Sequence, residues 1–180
     1  MWEDWVLTGG RRFSRNAVYT LLAILFWFLL YLFAWRGMRF FLIPSDSMEP
    51  TLLEHDYIVT LNYGHPPESP KRCDIIVFKD LEDPTAFAVK RVIGLPGEEV
   101  AIHDGAVFIN SEYLSEPYVL EPAIYTYEPE VVPEGEYFVL GDNRNHSSDS
   151  SLWQRSVPRA HIIGRAVFIY NPVRRMGRIR

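Results

Sequence analysis

The sequence predicts a mainly β protein in which an antiparallel β-sheet domain with a β insertion follows one N-terminal transmembrane helix. Residues 17–35 form a run of 19 residues without a charged side chain. After position 36, the apolar residues occur in short runs rich in valine, isoleucine and aromatic side chains, which is typical of strands. No amphipathic helical pattern of convincing length follows, and 180 residues leave room for one folded domain beside one membrane segment.

The uncharged run at residues 17–35 is long enough to cross a bilayer. At about 1.5 Å per residue, a helix of this length spans roughly 30 Å, the thickness of the hydrocarbon core. A cleaved signal peptide has a shorter apolar region and ends in small residues, whereas this run ends in Phe33-Ala34-Trp35. Three arginines precede the run and two follow it, which favours a cytoplasmic N-terminus. We therefore expect residues 1–16 in the cytoplasm, residues 17–35 in the membrane and an extracytoplasmic domain over residues 36–180.

Seven apolar runs in this domain predict strands. They cover residues 57–61, 74–78, 87–93, 100–102, 107–109, 137–140 and 162–170. Asp104-Gly105 lies between two of these runs, and this dipeptide favours a tight hairpin because such turns need positive φ. Short strands joined by turns of this kind indicate a sheet that is mainly antiparallel.

The charge distribution argues against one class of partner and sets one segment apart. The formal net charge is −5 at neutral pH, whereas proteins that bind nucleic acids usually carry a basic face. We therefore expect no nucleic-acid partner. Residues 98–136 contain ten acidic residues and no lysine or arginine, and we interpret this segment as an acidic β insertion at the surface.

The single cysteine, Cys73, rules out an intrachain disulfide and argues against a cysteine-based metal site. We expect neither a metal nor a cofactor. Because Cys73 precedes the apolar run at residues 75–78, we expect it to be a small buried side chain.

Three segments contain the residue types that nucleophilic catalysis needs. Residues 43–52 include two serines and two prolines, and the prolines prevent a regular helix or a central strand, so this segment is a shaped loop. Lys90 lies inside an apolar run. If its side chain points inward, desolvation lowers its pKa from about 10.4 towards neutrality and makes it a proton acceptor for a serine hydroxyl. Alternation along a strand allows either orientation. Residues 141–150 form a polar run directly after a predicted strand, where loops commonly carry chemistry.

Together, these segments resemble the type I signal peptidase family from position 43 to position 172. The matching strings are P-S-x-S-M-x-P-T-L at residues 44–52, K-R-V-x-G-x-P-G at residues 90–97 and G-D-N-R-x-x-S-x-D-S at residues 141–150. The chain departs from the family at Cys73, where glycine is usual, and at Ser151, where a second arginine is frequent. The resemblance implies a monomeric serine endopeptidase of the plasma membrane that contacts the lipid bilayer. It also implies exported preproteins as substrates, cut after an Ala-x-Ala-like site that ends the signal peptide.

The resemblance also implies roles for individual residues. Ser47 would attack the scissile carbonyl, and Lys90 would take its proton as the general base. Ser45 would contribute its hydroxyl, beside the Ser47 backbone N–H, to the oxyanion hole. Ser147 would orient the lysine amine.

Further positions match the family's structural and specificity residues. Asp149 would pair with Arg91 and brace the site. A shallow apolar pocket would accept small residues at the first and third positions before the cut. The matching pocket positions are Ile43, Pro44, Met48, Leu52 and Val89.

The sequence leaves three alternative interpretations. A self-cleaving repressor could use the same serine and lysine, but the chain has a hydrophobic helix where a repressor needs a DNA-binding module. A Ser-His-Asp enzyme would need a histidine base, and His146 beside Ser147 is the candidate. The third alternative is a non-catalytic single-pass membrane protein with a β-rich binding domain.

Overall fold

The computed structural model describes residues 15–63, 69–83 and 85–179, and the chain divides after Gly37 into a helix and a β domain. Helix α1, Arg15–Gly37, covers the run that was predicted to cross a membrane. Within the described ranges, however, no helix combines the length and the apolar character that crossing a membrane requires. The membrane crossing therefore stays a prediction. Residues 1–14 of the predicted cytoplasmic segment lie outside the described residues.

The β domain confirms the predicted class, because each of the seven predicted runs coincides with a strand. These strands are β2 (Tyr57–Leu61), β3 (Ile75–Lys79), β4 (Phe87–Gly94), β5 (Glu99–His103), β6 (Ala106–Ile109), β9 (Glu136–Leu140) and β11 (Ile162–Asn171). Five further strands were not predicted: β1 (Met38–Leu42), β7 (Glu112–Tyr113), β8 (Tyr127–Val131), β10 (Val157–Pro158) and β12 (Gly177–Arg178). One short helix, α2 (Ser150–Trp153), follows β9 in the chain.

The strands form two antiparallel sheets. The main sheet has the order β1-β2-β11-β3-β4-β9-β10, with β12 also paired to β11. The second sheet has the order β7-β6-β5-β8 and falls inside the acidic segment that was interpreted as an insertion. Strand β4 pairs with β3 over Phe87–Arg91 but with β9 only from Arg91 onward. Among the described residues, the first half of β4 therefore has one edge without a strand partner.

The central strand β3 shows how the main sheet acquires its two apolar faces. Because successive side chains of a strand point to opposite faces, Ile75 and Val77 join one buried cluster, whereas Ile76 and Phe78 join another. The second sheet forms a third cluster around Val100 with residues from the main sheet. Both faces of the central strands are thus covered, which explains why their sequences read as continuous apolar runs.

Two turns show where left-handed backbone is required. Asp104 and Gly105 have φ of 52° and 80°, so the predicted hairpin turn between β5 and β6 is present. Cys73 has φ of 70° and an exposed side chain. The expectation of a buried Cys73 was therefore wrong, because the residue belongs to the turn before β3 rather than to the strand. This conformation also explains why a glycine suits the position.

We expect Gly164→Ala to destabilise the domain, because Gly164 on β11 passes very close to the backbone of β2. A Cβ added there would lie 2.4 Å from the Leu61 carbonyl oxygen. Backbone must then shift, so the free energy of unfolding should fall by about 1–3 kcal/mol. Urea denaturation of the full chain in detergent, followed by tryptophan fluorescence, measures this. Gly177→Ala is the matched control, since the nearest heavy atom to its added Cβ is 3.9 Å away. Equal losses in the two variants would contradict the prediction.

Candidate active site

The loop between β1 and β2 holds two serines against the core. Its ends are closed by backbone hydrogen bonds from Ile43 to Asp56 and from His55 to Ile43, each 2.9 Å long. Within the loop, the side chains of Ile43, Met48 and Leu52 are buried in one apolar cluster. This anchoring leaves little freedom to the two serines between them. Their side chains approach each other, with the Oγ atoms of Ser45 and Ser47 3.3 Å apart.

Lys90 points into the protein, which settles the orientation that alternation had left open. Lys90 lies on β4 opposite Ile76 of β3, and the residue is only 5% exposed. Burial lowers the pKa of Lys90 to about 8 from its ordinary 10.5, because a low-dielectric surrounding disfavours the ammonium form. Nearby carboxylates oppose this shift. They belong to Asp149, Asp46, Asp142 and Asp80.

One cleft of about 150 Å³ brings together three of the predicted catalytic residues, Ser45, Ser47 and Lys90. Four of the five predicted pocket residues also line it: Ile43, Pro44, Met48 and Val89. Leu52 does not. Its side chain is fully buried in the core behind the loop, because a turn closed by the hydrogen bond from Leu52 N to the Met48 carbonyl directs it inward.

The polar loop after β9 packs directly against the serine loop. The Asn143 N–H donates to the Ser47 carbonyl at 3.1 Å. Gly141 leaves no room for a side chain, since a Cβ there would lie 2.4 Å from the Ser47 carbonyl oxygen and 2.3 Å from Ser147 Oγ. The glycine of the sequence motif is therefore required by this close approach.

Ser147 lies beside this contact, but its predicted hydrogen bond to Lys90 is not formed. Its Oγ atom is buried and has no hydrogen-bond partner among the residues that the structure describes. The structure thus places the hydroxyl directly beside Gly141.

The bracing pair differs from the expectation. Arg91 binds Asp142 rather than Asp149, with Nε donating to Oδ1 at 2.8 Å and Nη2 donating to Oδ2 at 2.6 Å. The strand register explains this partner, since Arg91 lies opposite Leu140, two residues before Asp142. The Thr51 hydroxyl also donates to Asp142, at 2.5 Å, and so ties the serine loop to the pair.

Asp149 is instead bonded within its own loop. One of its oxygens accepts the Gly141 N–H at 2.9 Å, and the other accepts the Ser151 hydroxyl at 2.7 Å. Ser151, the position at which the sequence departs from the family pattern, therefore gives Asp149 a local hydrogen bond. Asp149 also caps the start of α2 by accepting from the Ser151 N–H.

Sequence reasoning missed a group that connects the polar loop to the segment after β7. Arg144 donates to Glu116 at 2.6 Å and to the Gly141 carbonyl at 3.0 Å. Tyr118 donates to the same Glu116 oxygen at 2.8 Å, and its ring lies 3.9 Å below the Arg91 guanidinium. Only Arg144 carried a signal, as part of the motif at residues 141–150. Glu116 could not be distinguished from the other acids of its segment.

His146 lies at the surface, in surroundings that do not suit a catalytic base. Its side chain is 69% exposed and lies 3.9 Å from the carboxylate of Asp46, which is itself 51% exposed. A base of a Ser-His-Asp unit is instead held by a buried acid and hydrogen-bonded to its serine.

Comparison with known proteins identifies the family of the chain. The family model described as signal peptidase, peptidase S26, matches residues 14–171. A signal peptidase I from Leptolyngbya laminosa is 46% identical over 145 residues, which is 76% of this chain and 70% of that protein. A probable signal peptidase I-2 from Synechocystis is 43% identical over 143 residues, which is 75% of this chain and 64% of that protein.

Among solved structures, a signal peptidase I from Enterococcus faecalis is 37% identical and superposes with a TM-score of 0.49, covering 54% of this chain and 97% of that one. The family match and the two relatives decide the assignment. The chain therefore belongs to the type I signal peptidases of peptidase family S26, which makes it an enzyme that hydrolyses peptide bonds.

Proposed function

We propose that this enzyme removes signal peptides from exported preproteins, with Ser47 as nucleophile and Lys90 as general base. The observation that supports this most is the burial of both side chains in one cleft, together with the lowered pKa of Lys90. A lysine with a pKa of about 8 is partly neutral near physiological pH, and only a neutral amine can accept the proton of a hydroxyl.

The reaction then follows in two halves. As Ser47 Oγ attacks the scissile carbonyl, its proton moves to Lys90 Nζ. The carbonyl oxygen becomes an oxyanion, which accepts hydrogen bonds from the Ser47 N–H and the Ser45 hydroxyl. Such donors contribute roughly 3–4 kcal/mol each at a tetrahedral intermediate. Lys90 gives its proton to the leaving amine, and a water activated by Lys90 then releases the signal peptide from Ser47.

Ser147 and the bracing residues would hold these atoms in place. We propose that the buried hydroxyl of Ser147 bonds the Lys90 amine when substrate closes the cleft, since catalytic hydrogen bonds often form only in the complex. Arg91 and Asp149 act at a distance from the bond that is cut. Arg91 does so through Asp142, and Asp149 through Gly141.

The size of the cleft supports a preference for small side chains. An extended substrate can lie along the part of β4 that lacks a strand partner and add a strand there. The apolar part of the cleft would then take the residues at the first and third positions before the cut. A volume of about 150 Å³ excludes large side chains by steric clash, which gives an Ala-x-Ala-like specificity.

Helix α1 would anchor the enzyme in the plasma membrane, with residues 1–16 in the cytoplasm and the domain from residue 36 on the other side. Its uncharged run supports this, as does the excess of arginines before the run. The bilayer is then a partner beside the preproteins. We propose a monomer that needs no cofactor, no metal and no nucleic acid.

Ser47→Ala and Lys90→Ala should each reduce kcat/KM on an Ala-x-Ala peptide to the background rate, with unchanged thermal unfolding. Their effects should not add in the double variant, because the two residues act as a unit. Steady-state kinetics of both single variants and the double variant in detergent test this. A Lys90→Ala enzyme that keeps more than about a tenth of its activity would remove the general-base role.

The value of kcat/KM should rise with pH on its acidic side through an apparent pKa of about 8, the value to which burial lowers Lys90. Below this pH the ammonium form predominates and cannot accept a proton, so the rate should fall about tenfold per pH unit. The kinetic profile is compared with an isotope-edited NMR titration of the Lys90 amine in Ser47→Ala. An apparent pKa near about 10.4 would show a solvated lysine and contradict a preformed buried site.

Ser147→Ala should lower kcat/KM by roughly tenfold or more, whereas His146→Ala should change it by less than about twofold, because the exposed imidazole has no task beside a lysine base. The two variants are neighbours in one loop and control each other for loop perturbation. A loss of roughly 10³ in His146→Ala would instead favour a Ser-His-Asp mechanism.

A further inference from the structure

Strand β4 divides the cleft into two walls of different chemistry. Phe87 and Val89 point to one face, where Phe87 stacks edge-on against Phe41 and Val89 packs against the cluster that contains Met48. Ala88 packs against the cluster on the opposite face. Lys90, two positions further along the strand, points to the same face as Ala88. We call the side with Phe87 and Val89 the apolar wall, and the side with Ala88 and Lys90 the polar wall.

The polar wall contains one acid. Asp80, Ser148 and Trp153 line the cleft together with Ala88 and Lys90. Asp80 and Lys90 are the charged residues among the described residues of this lining.

The Asp80 carboxylate is held in place by hydrogen bonds to one of its two oxygens. It follows β3 directly, and its Oδ1 accepts the backbone N–H groups of Glu82 and Asp83 at 2.8 and 3.0 Å. Its Oδ2 accepts no hydrogen bond from the described residues. This oxygen can therefore bind a donor from outside the chain without breaking an existing bond.

Trp153 gives the same wall a flat apolar surface. Its ring lies edge-on against Phe78, and its Nε1–H donates to the Ser148 hydroxyl at 2.8 Å. These two contacts fix the indole, which remains half-buried. An indole face beside a carboxylate suits the aliphatic stem and the cationic head of a lysine or arginine.

From this arrangement we propose that the polar wall selects a basic side chain at the middle residue of the Ala-x-Ala sequence, with Asp80 as the specificity residue. The inference rests on the proposed function. If the substrate adds a strand along β4, its successive side chains point alternately to the two walls. The first and third residues before the cut then face the apolar wall, and the middle residue faces Asp80 and Trp153.

The expected preference for a basic middle residue is moderate, because Asp80, which would pair with that residue, is partly exposed. Peptides that differ only at the middle residue should be cleaved with kcat/KM values in the order lysine, glutamine, glutamate. The lysine-to-glutamate ratio should be roughly tenfold at low ionic strength and smaller in about 0.5 M salt.

Asp80 variants of the full chain in detergent test the assignment. Asparagine at position 80 can still accept the two backbone bonds, so Asp80→Asn should reduce the ratio to within about twofold of unity, and Asp80→Lys should invert it. Glu82→Gln is the matched control, since its side chain is 76% exposed in the same loop and does not line the cleft. It should keep the wild-type ratio. Because each ratio compares two peptides on one enzyme, a change in the pKa of Lys90 cancels.

Three outcomes would overturn the inference. One is an unchanged ratio in Asp80→Asn, and another is an equal loss in Glu82→Gln. The third is a charge preference that Asp80 controls only at the residue after the cut, which is tested with peptides varied there. Cleavage with the same ratio in wild type and Asp80→Asn contradicts this inference alone. Absence of cleavage of every peptide by the wild type, or full activity in Ser47→Ala, contradicts the proposed function as well.

Discussion

The buried ion pair between Arg91 and Asp142 is the contact on which the arrangement of the site depends. It joins β4, which carries Lys90, to the loop that packs Gly141 against the Ser47 carbonyl. Thr51 adds the serine loop to the same pair. Both charged groups are nearly inaccessible, at 1% and 0% exposure, and removing one partner of such a pair typically costs about 3–5 kcal/mol because the other charge stays buried. Three segments that are distant in sequence are therefore held in register by one interaction.

Two neighbouring positions on β4 carry buried basic side chains that behave differently. Arg91 stays protonated, whereas Lys90 can lose its proton near neutral pH. Arg91 gains two hydrogen bonds from its guanidinium to a carboxylate, so its burial is compensated. Lys90 is buried without a comparable partner among the described residues, and its amine is surrounded by carboxylates that act only at longer range. Desolvation then outweighs attraction, and the pKa falls to about 8. The difference between the two cations is one of hydrogen bonding rather than of depth.

The sequence predicted the strands that are marked by runs of apolar residues. It did not predict the features that depend on contacts between distant segments. The seven apolar runs are all strands, and those at the centre, such as β3 and β9, read as continuous apolar runs because both of their faces are buried. Strand β8 escaped prediction since its sequence, with two acids and a proline, resembles a loop and becomes a strand only by pairing with β5. The motifs predicted which loops meet at the cleft. They could not predict the partner of Arg91, because that choice depends on the register between β4 and β9.

The negative charge that the polar wall can carry is limited by its effect on the pKa of Lys90. Any carboxylate on this wall attracts a cationic substrate but also raises the pKa of Lys90, which would keep the amine protonated at neutral pH. Among the four carboxylates that act on Lys90, Asp80 has the smallest effect, after Asp149, Asp46 and Asp142. Its Oδ1 is held by the turn after β3. An acid that acts this weakly on Lys90 can attract a charged side chain and still leave the pKa of the lysine near 8. A carboxylate in direct contact with Nζ could not serve both purposes, because a hydrogen bond to the ammonium form would stabilise the state that cannot accept a proton.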